Sequence, residues 1–173
     1  RLPGRGGGEG GRPPVWLVLD EVMDPQNFGA LVRSAYFLGC AGVVTCSKNS
    51  ATLSPTMSKA SAGAVELQTI HSAKNLMKFL TKSKDNGWHV LGASLSKESV
   101  GAATVKLDKP SLLVLGNEGR GLRTLVLRCC DVVVQIEGGK GMSQDAEAGD
   151  DEVLDSLNVS VAGGILLHRL LCP

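Results

Sequence analysis

Aromatic residues are scarce in this chain, with two Trp, one Tyr and three Phe among 173 residues. Holding single strands by stacking bases needs a denser aromatic platform, which argues against a stacking-type nucleic-acid binder. No apolar run approaches the ~20 residues that a bilayer span requires, so no membrane partner is expected. The five cysteines (Cys40, Cys46, Cys129, Cys130 and Cys172) include no C-x-x-C pair, so neither a metal site nor a redox motif is expected. Four of them sit among apolar residues and read as buried free thiols in a reducing compartment. No G-x-G-x-x-G follows the first apolar run, which counts against a dinucleotide-binding oxidoreductase. Charge of one sign is also lacking. With a formal net charge of +1, a polyanionic partner would have to be met by local patches, a dimer groove or another module.

Glycine is abundant, and it marks the ends of the organised region. Residues 1–14 hold six glycines and three prolines without apolar periodicity, and read as a flexible linker trailing from an upstream domain. From there to residue 173 a single α/β domain is expected. Val15 to Leu19 is a short apolar run, a buried strand ending at Asp20. A helix is expected from about Phe28 to Leu38, with Asn27 as its cap, and Gly42 to Thr45 forms a second strand. Ser54-Pro55 opens a short helix, Val65 to Ile70 reads as extended, and Ser72 reads as the cap of an amphipathic helix to about Lys84. On that helix Leu76, Phe79 and Leu80 share one side, while Lys74, Lys78 and Lys82 recur on another, as a solvated face or a phosphate-facing stripe. His89 to Ala93, Ser111 to Leu115 and Val132 to Ile136 complete the strands, and a helix is expected at about Leu122–Arg128. Six acids crowd residues 145–155, and 137–155 reads as a disordered acidic loop. Apolar strands alternating with helices predict a mostly parallel sheet covered on both faces. Its ligand sites would lie beyond the carboxyl ends of strands, in the turns after Leu19, Leu115 and Ile136.

Three segments carry unusual chemistry. Asp24-Pro25-Gln26-Asn27 leads into a helix that places Arg33 six residues after Asn27 on an otherwise apolar surface. Leu115-Gly116-Asn117-Glu118-Gly119-Arg120-Gly121 follows a strand directly, with glycines that let the backbone approach a ligand and Glu118 expected to start the next helix. Ser156-Leu157-Asn158-Val159-Ser160-Val161-Ala162 opens a final helix running to about Leu171, with two polar side chains where an apolar helix begins.

In this order and after these strands, the three segments resemble the motifs of the SpoU (TrmH-like) family, RNA 2′-O-ribose methyltransferases of the SPOUT class. The resemblance covers nearly all of residues 15–171 and is closest to the mitochondrial ribosomal-RNA branch that modifies a guanosine of the large subunit, which implies the mitochondrial matrix. It implies a C-terminal deep trefoil knot that binds S-adenosylmethionine, and a homodimer acting on RNA, most readily ribosomal RNA. Carried over position by position, Leu115, Gly116, Ile136, Leu157 and Val159 would line the cofactor site, largely through backbone groups. Asn27, Arg33, Glu118, Asn158 and Ser160 would form the polar catalytic set. After Ile136 the chain carries Glu137-Gly138 where relatives carry Pro-Met. The competing readings are a catalytically silent RNA-binding or assembly module with the same fold, and a SpoU-type tRNA ribose methyltransferase.

Overall fold

In the computed structural model, which describes residues 11–51, 54–96, 98–138 and 156–172, seven parallel strands form one sheet in the order β3-β2-β1-β6-β4-β7-β5. The strands are β1 (Val15–Leu19), β2 (Gly42–Cys46), β3 (Ile70–Ala73), β4 (His89–Ala93), β5 (Val100–Gly101), β6 (Ser111–Leu115) and β7 (Val132–Gln135). The helices are α1 (Pro25–Phe37), α2 (Pro55–Ser61), α3 (Ala64–Leu67), α4 (Leu76–Asp85), α5 (Thr124–Leu127) and α6 (Val159–Leu171).

The two central strands explain the layers. β1 and β6 are buried along their whole length because helices cover both faces, as continuous apolar runs in parallel sheets require. Alternation within β1 sorts its side chains between two cores. Val15, Leu17 and Leu19 join Phe28, Leu31 and Val32 of α1, Met57 of α2 and Leu166 and Leu167 of α6. Trp16 and Val18 point the other way, to Leu76 and Leu80 of α4 and Val126 of α5. Each large side chain so buried contributes about 1.5–3 kcal/mol. Trp16 fits because the neighbouring strand supplies Gly42, where a Cβ would run into the indole, and because His71 stacks on the ring at a centroid separation of 5.4 Å.

Several local expectations are corrected. α1 begins at Pro25 rather than Phe28: Asp24 is the cap, accepting hydrogen bonds from the N–H groups of Gln26 (3.1 Å) and Asn27 (3.2 Å), and Pro25 supplies the preset first helical φ. Residues 64–67 are helical, not extended, because Gly63 turns the chain through a left-handed conformation just before them; only Ile70 onward is strand. Ser72 lies within β3, and the cap of α4 is Asn75, whose side chain accepts from Lys78 N–H at 2.9 Å. α5 is shorter than expected, and the two-residue edge strand β5 was not anticipated. Cys40 and Cys46 are buried as expected, and burial pushes the Cys40 thiol up to about 12, but Cys172 is exposed. The acidic segment 139–155 and residues 1–10 lie outside the described residues. A knot is a property of the whole backbone path, and that path includes 139–155.

At the amino end of β4, Lys84 Nζ lies 2.8 Å from Asp131 Oδ1, while Val90 N–H donates to Asp131 Oδ2 at 2.9 Å. Burial pushes the Asp131 carboxyl up, but those two hydrogen bonds outweigh it and hold it below its ordinary value. A carboxyl depressed by folding stabilises at neutral pH, and that contribution disappears as pH falls through the folded value. Asp131→Asn should therefore cost below about 1 kcal/mol near pH 7 in urea unfolding, since both partners are partly exposed. The difference from the parent should vanish under acid conditions.

Candidate active site

The site is built where β1 and β6 end side by side. Leu19 pairs with Leu115 in the parallel register, and Asp20 N–H donates to Leu115 C=O at 2.8 Å, which brings the turns after the two strands together. Gly116 is required at this junction, because a Cβ there would collide with the backbone of Gly121 and Leu122. The chain then closes on itself through paired backbone hydrogen bonds between Asn117 and Gly121 (3.0 and 2.9 Å). Asn117 Oδ1 accepts from the N–H groups of Gly119 and Arg120, and its Nδ2 donates to Glu21 C=O at 2.9 Å.

Glu118 does not start a helix, contrary to expectation; α5 begins six residues later. The closed turn instead aims its carboxylate across to the segment before α1, where it accepts hydrogen bonds from Asp24 N–H (3.1 Å) and Met23 N–H (3.4 Å). Asn27, relieved of capping by Asp24, uses its Oδ1 to accept from Asn158 Nδ2 at 3.1 Å. Asn158 is the cap of α6: its Oδ1 accepts from Ser160 N–H (2.9 Å), Ser160 Oγ (2.6 Å) and Val161 N–H (3.4 Å). Gly163 permits this docking, since a Cβ there would strike Leu31 and come within 2.7 Å of Leu115. Asn27, Asn158 and Ser160 thus form one bonded cluster, and Glu118 grips the start of the same helix α1. Arg33 stands apart, exposed on α1 about 9 Å further along the axis, and makes no ion pair among the described residues.

Sequence reasoning missed the pair beneath this surface. Asp20 is completely buried, and Arg123 donates to its carboxylate from Nε (2.9 Å) and Nη2 (2.5 Å). Arg123 Nη1 also lies 3.1 Å from Glu21, which in turn accepts from Asn49 Nδ2 at 3.2 Å. The hydrogen bond to Asp20 raises the Arg123 guanidinium further above its ordinary value. A lone acid closing an all-apolar strand was the available signal, because such a residue must find a cation or surface.

The positions implied for a cofactor suit a flat, partly apolar ligand. Leu115 is buried in the first core, with Ile136 and Val159 packed against it, and Leu157 is exposed just before the cap. A recess of about 200 Å³ opens beside Ile136, lined also by Ala102, Ala103, Glu137, Ile165 and Arg169. A larger cleft of about 550 Å³, bordered by Arg12, Tyr36, Cys40 and Leu171, lies at the amino end of β1, the opposite end of that strand from the polar cluster. Among the described residues, no group of three His, Cys, Asp or Glu side chains is placed to hold a metal ion.

Parallel α/β sheets bind their ligands beyond the carboxyl ends of the strands, and the polar cluster lies there, which places the chain in that class of ligand-binding domain. A model of the SpoU rRNA Methylase family matches residues 14–168, and the chain belongs to that family. It is 43% identical over 163 residues to a protein of Dictyostelium discoideum named rRNA methyltransferase 1, mitochondrial, covering 91% of this chain and 29% of that protein. It is 35% identical to a 23S rRNA (guanosine-2′-O-)-methyltransferase of Pseudomonas syringae pv. tomato, covering 92% of this chain and 58% of that one. The chain thus spans well under two thirds of either relative. Among solved structures, an AdoMet-bound rRNA methyltransferase from Sinorhizobium meliloti superposes with a TM-score of 0.76 at 28% identity, over 91% of this chain and 56% of that one.

Proposed function

We propose that the chain transfers a methyl group from S-adenosylmethionine to a ribose 2′-hydroxyl of ribosomal RNA, a guanosine of the mitochondrial large subunit, and works in the mitochondrial matrix. The observation that carries this reading is the bonded Asn27–Asn158–Ser160 cluster, with Glu118 gripping α1 beside it. Relatives with mitochondrial and guanosine-2′-O names support the target class.

Bound at the ends of β6 and β7, the cofactor supplies an electrophilic sulfonium methyl. Leu115, Gly116, Ile136, Leu157 and Val159 hold it, chiefly with backbone groups and apolar contact, in a C-terminal knot. The turn glycines let the backbone approach a flat ring closely. Asn27 and Asn158 fix each other's amide planes, so a nucleotide meets preoriented donors and acceptors, and Ser160 sits within that network. Glu118 fixes the Met23-Asp24 backbone from which α1 starts. Arg33 acts as a charged hydrogen-bond donor rather than as a base, the ordinary chemistry of a guanidinium. Its role is to bind the phosphate next to the target ribose and stabilise the developing alkoxide, while the phosphate or water takes the proton. Orientation then supplies most of the acceleration.

The homodimer is part of the same proposal. α6 presents Val161 and Ile165 half-exposed one turn apart, and α1 exposes Tyr36 and Phe37. Apolar side chains at that spacing suit a second helix packed across them.

The test uses tritiated S-adenosylmethionine with transcripts of mitochondrial large-subunit rRNA, followed by mapping of alkali-resistant 2′-O-methyl positions. Label should enter one guanosine ribose. Cofactor binding without transfer to any ribosomal transcript would favour the silent assembly module instead.

A further inference from the structure

A second surface, which starts at the same carboxyl edge of the sheet and runs down the face opposite α1 and α6, has the chemistry of a phosphate track. Lys78 and Lys82 lie one turn apart on the exposed side of α4, about 6 Å along its axis. Lys74 is exposed just before the Asn75 cap. Lys48 is exposed on the loop after β2, and Ser47 N–H donates to Ala73 C=O at 3.0 Å, so the segments leading to Lys48 and Lys74 are held together. The four lysines therefore continue from the carboxyl edge of the sheet down the outside of α4.

Two observations set this band apart from an ordinary solvated face. None of the four lysines forms an ion pair among the described residues, whereas Lys84 on the same helix is paired with Asp131. The acid nearest in sequence, Asp85, ends α4 on the far side of the band from the site, and the intervening polar side chains (Asn75, Thr81) are neutral. A chain of net charge +1 has thus gathered in one strip four lysines that form no ion pair among the described residues. The strip is tied to the site: Asn49, next to Lys48, donates to Glu21 at 3.2 Å, and Glu21 C=O holds the Asn117 side chain. β1, β2 and β3 are consecutive neighbours about 4.8 Å apart, so the strip begins roughly 10 Å from the end of β1.

We infer that Lys48, Lys74, Lys78 and Lys82 form an anchoring track for the RNA backbone flanking the target nucleotide. The inference rests on RNA being the substrate. Spaced point charges on flexible stems suit sequence-independent phosphate contact, which positions a strand without reading it. Each contact neutralised releases condensed counterions, so the track should appear in the salt dependence of binding.

The experiment compares the full chain with a combined Lys48→Gln, Lys74→Gln, Lys78→Gln, Lys82→Gln variant. The probe is a fluorescein-labelled RNA hairpin with single-stranded flanks, followed by anisotropy across a potassium chloride series. The slope of log K against log salt should flatten by about 3, at roughly 0.7 per lost single-strand phosphate contact. The KM for RNA should rise at least about tenfold with kcat unchanged, because the contact is equal in ground and transition states. The matching Lys→Arg combination should restore the slope. As a charge control, Lys106→Gln with Lys109→Gln, near the amino end of β6, should leave it unchanged. An unaltered slope in the quadruple variant, an equal effect per charge in the control, or no binding of the probe by the parent chain overturns the track. So does a loss confined to phosphatidylserine vesicles. If the slope flattens as expected while the parent transfers no methyl group, the track stands and the methylation reading falls.

Discussion

Arg33→Ala should bind S-adenosylmethionine with parental affinity and methylate RNA at least about a hundredfold more slowly, the effect of deleting one charged transition-state donor. Folding gives no reason for a loss. Arg33 is exposed on α1, makes no ion pair among the described residues, and alanine is the better helix former. Its removal should change stability by under about 0.5 kcal/mol. Any large kinetic effect would then belong to chemistry or to substrate positioning. Arg33→Lys separates the parts of the role: a point charge can still attract the phosphate but cannot form the planar fork, so it should recover only a fraction of the rate. The reading fails if Arg33→Ala transfers methyl groups at the parental rate on saturating RNA. Because Arg33 stands well along α1 from Asn27, a second prediction follows from the proposed dimer. Mixing Arg33→Ala with Asn158→Ala chains should restore activity if Arg33 serves the partner's cluster, and should restore nothing if both act within one chain.

The strands were the easily read part of this chain. β1, β4, β6 and β7 are apolar runs bounded by turn residues, and each lies between two other strands of the sheet, so composition and geometry agree. Helix starts were harder, because several residues able to cap compete within a few positions. Asn27 and Ser72 have the right side chains, but Asp24-Pro25 and Asn75 win, since a preset proline φ and the end of β3 decide where each helix can begin. The error at Asn27 hid something useful: an asparagine not consumed by capping is free to meet Asn158, 131 residues away. Nothing local marks that pairing, nor the reach of Glu118 back to the Asp24 N–H; both depend on β1 and β6 being neighbours. The three motifs were recognisable as a set only because their order matches a family. The lysines of α4 show the complementary case. Their spacing was visible at once, but whether acids offset them depends on which elements pack nearby, and that needed the fold.

Arg123→Ala should destabilise the fold by about 3 kcal/mol, the low end for breaking a buried pair, because the guanidinium is itself 39% exposed while Asp20 is 0% exposed. For a domain of this length that corresponds to a fall in Tm of roughly 6–12 °C. The cost arises from what remains. Asp20 would keep its bond from the Arg123 backbone N–H (3.4 Å) but lose the guanidinium, leaving a carboxylate enclosed at the end of β1. Glu21, held with φ at +59°, would lose its cation as well, leaving the Asn49 contact to its carboxylate and the Asn117 contact to its C=O to restrain that strained residue. Since Met23 and Asp24 follow directly, the grip of Glu118 on their N–H groups should loosen, and methyl transfer should fall even below the melting range. The double variant Asp20→Asn with Arg123→Met tests the cause. With charge removed from both partners and the stem volume kept, most of the stability should return, because a neutral amide costs far less to enclose than an unpaired carboxylate. Full recovery of stability without recovery of activity would show that the ion pair itself positions the Glu118 turn. If Arg123→Ala alone melts with the parent, the Asp20 carboxylate has found water, and the pair is not the device that joins β1 to the Glu118 turn.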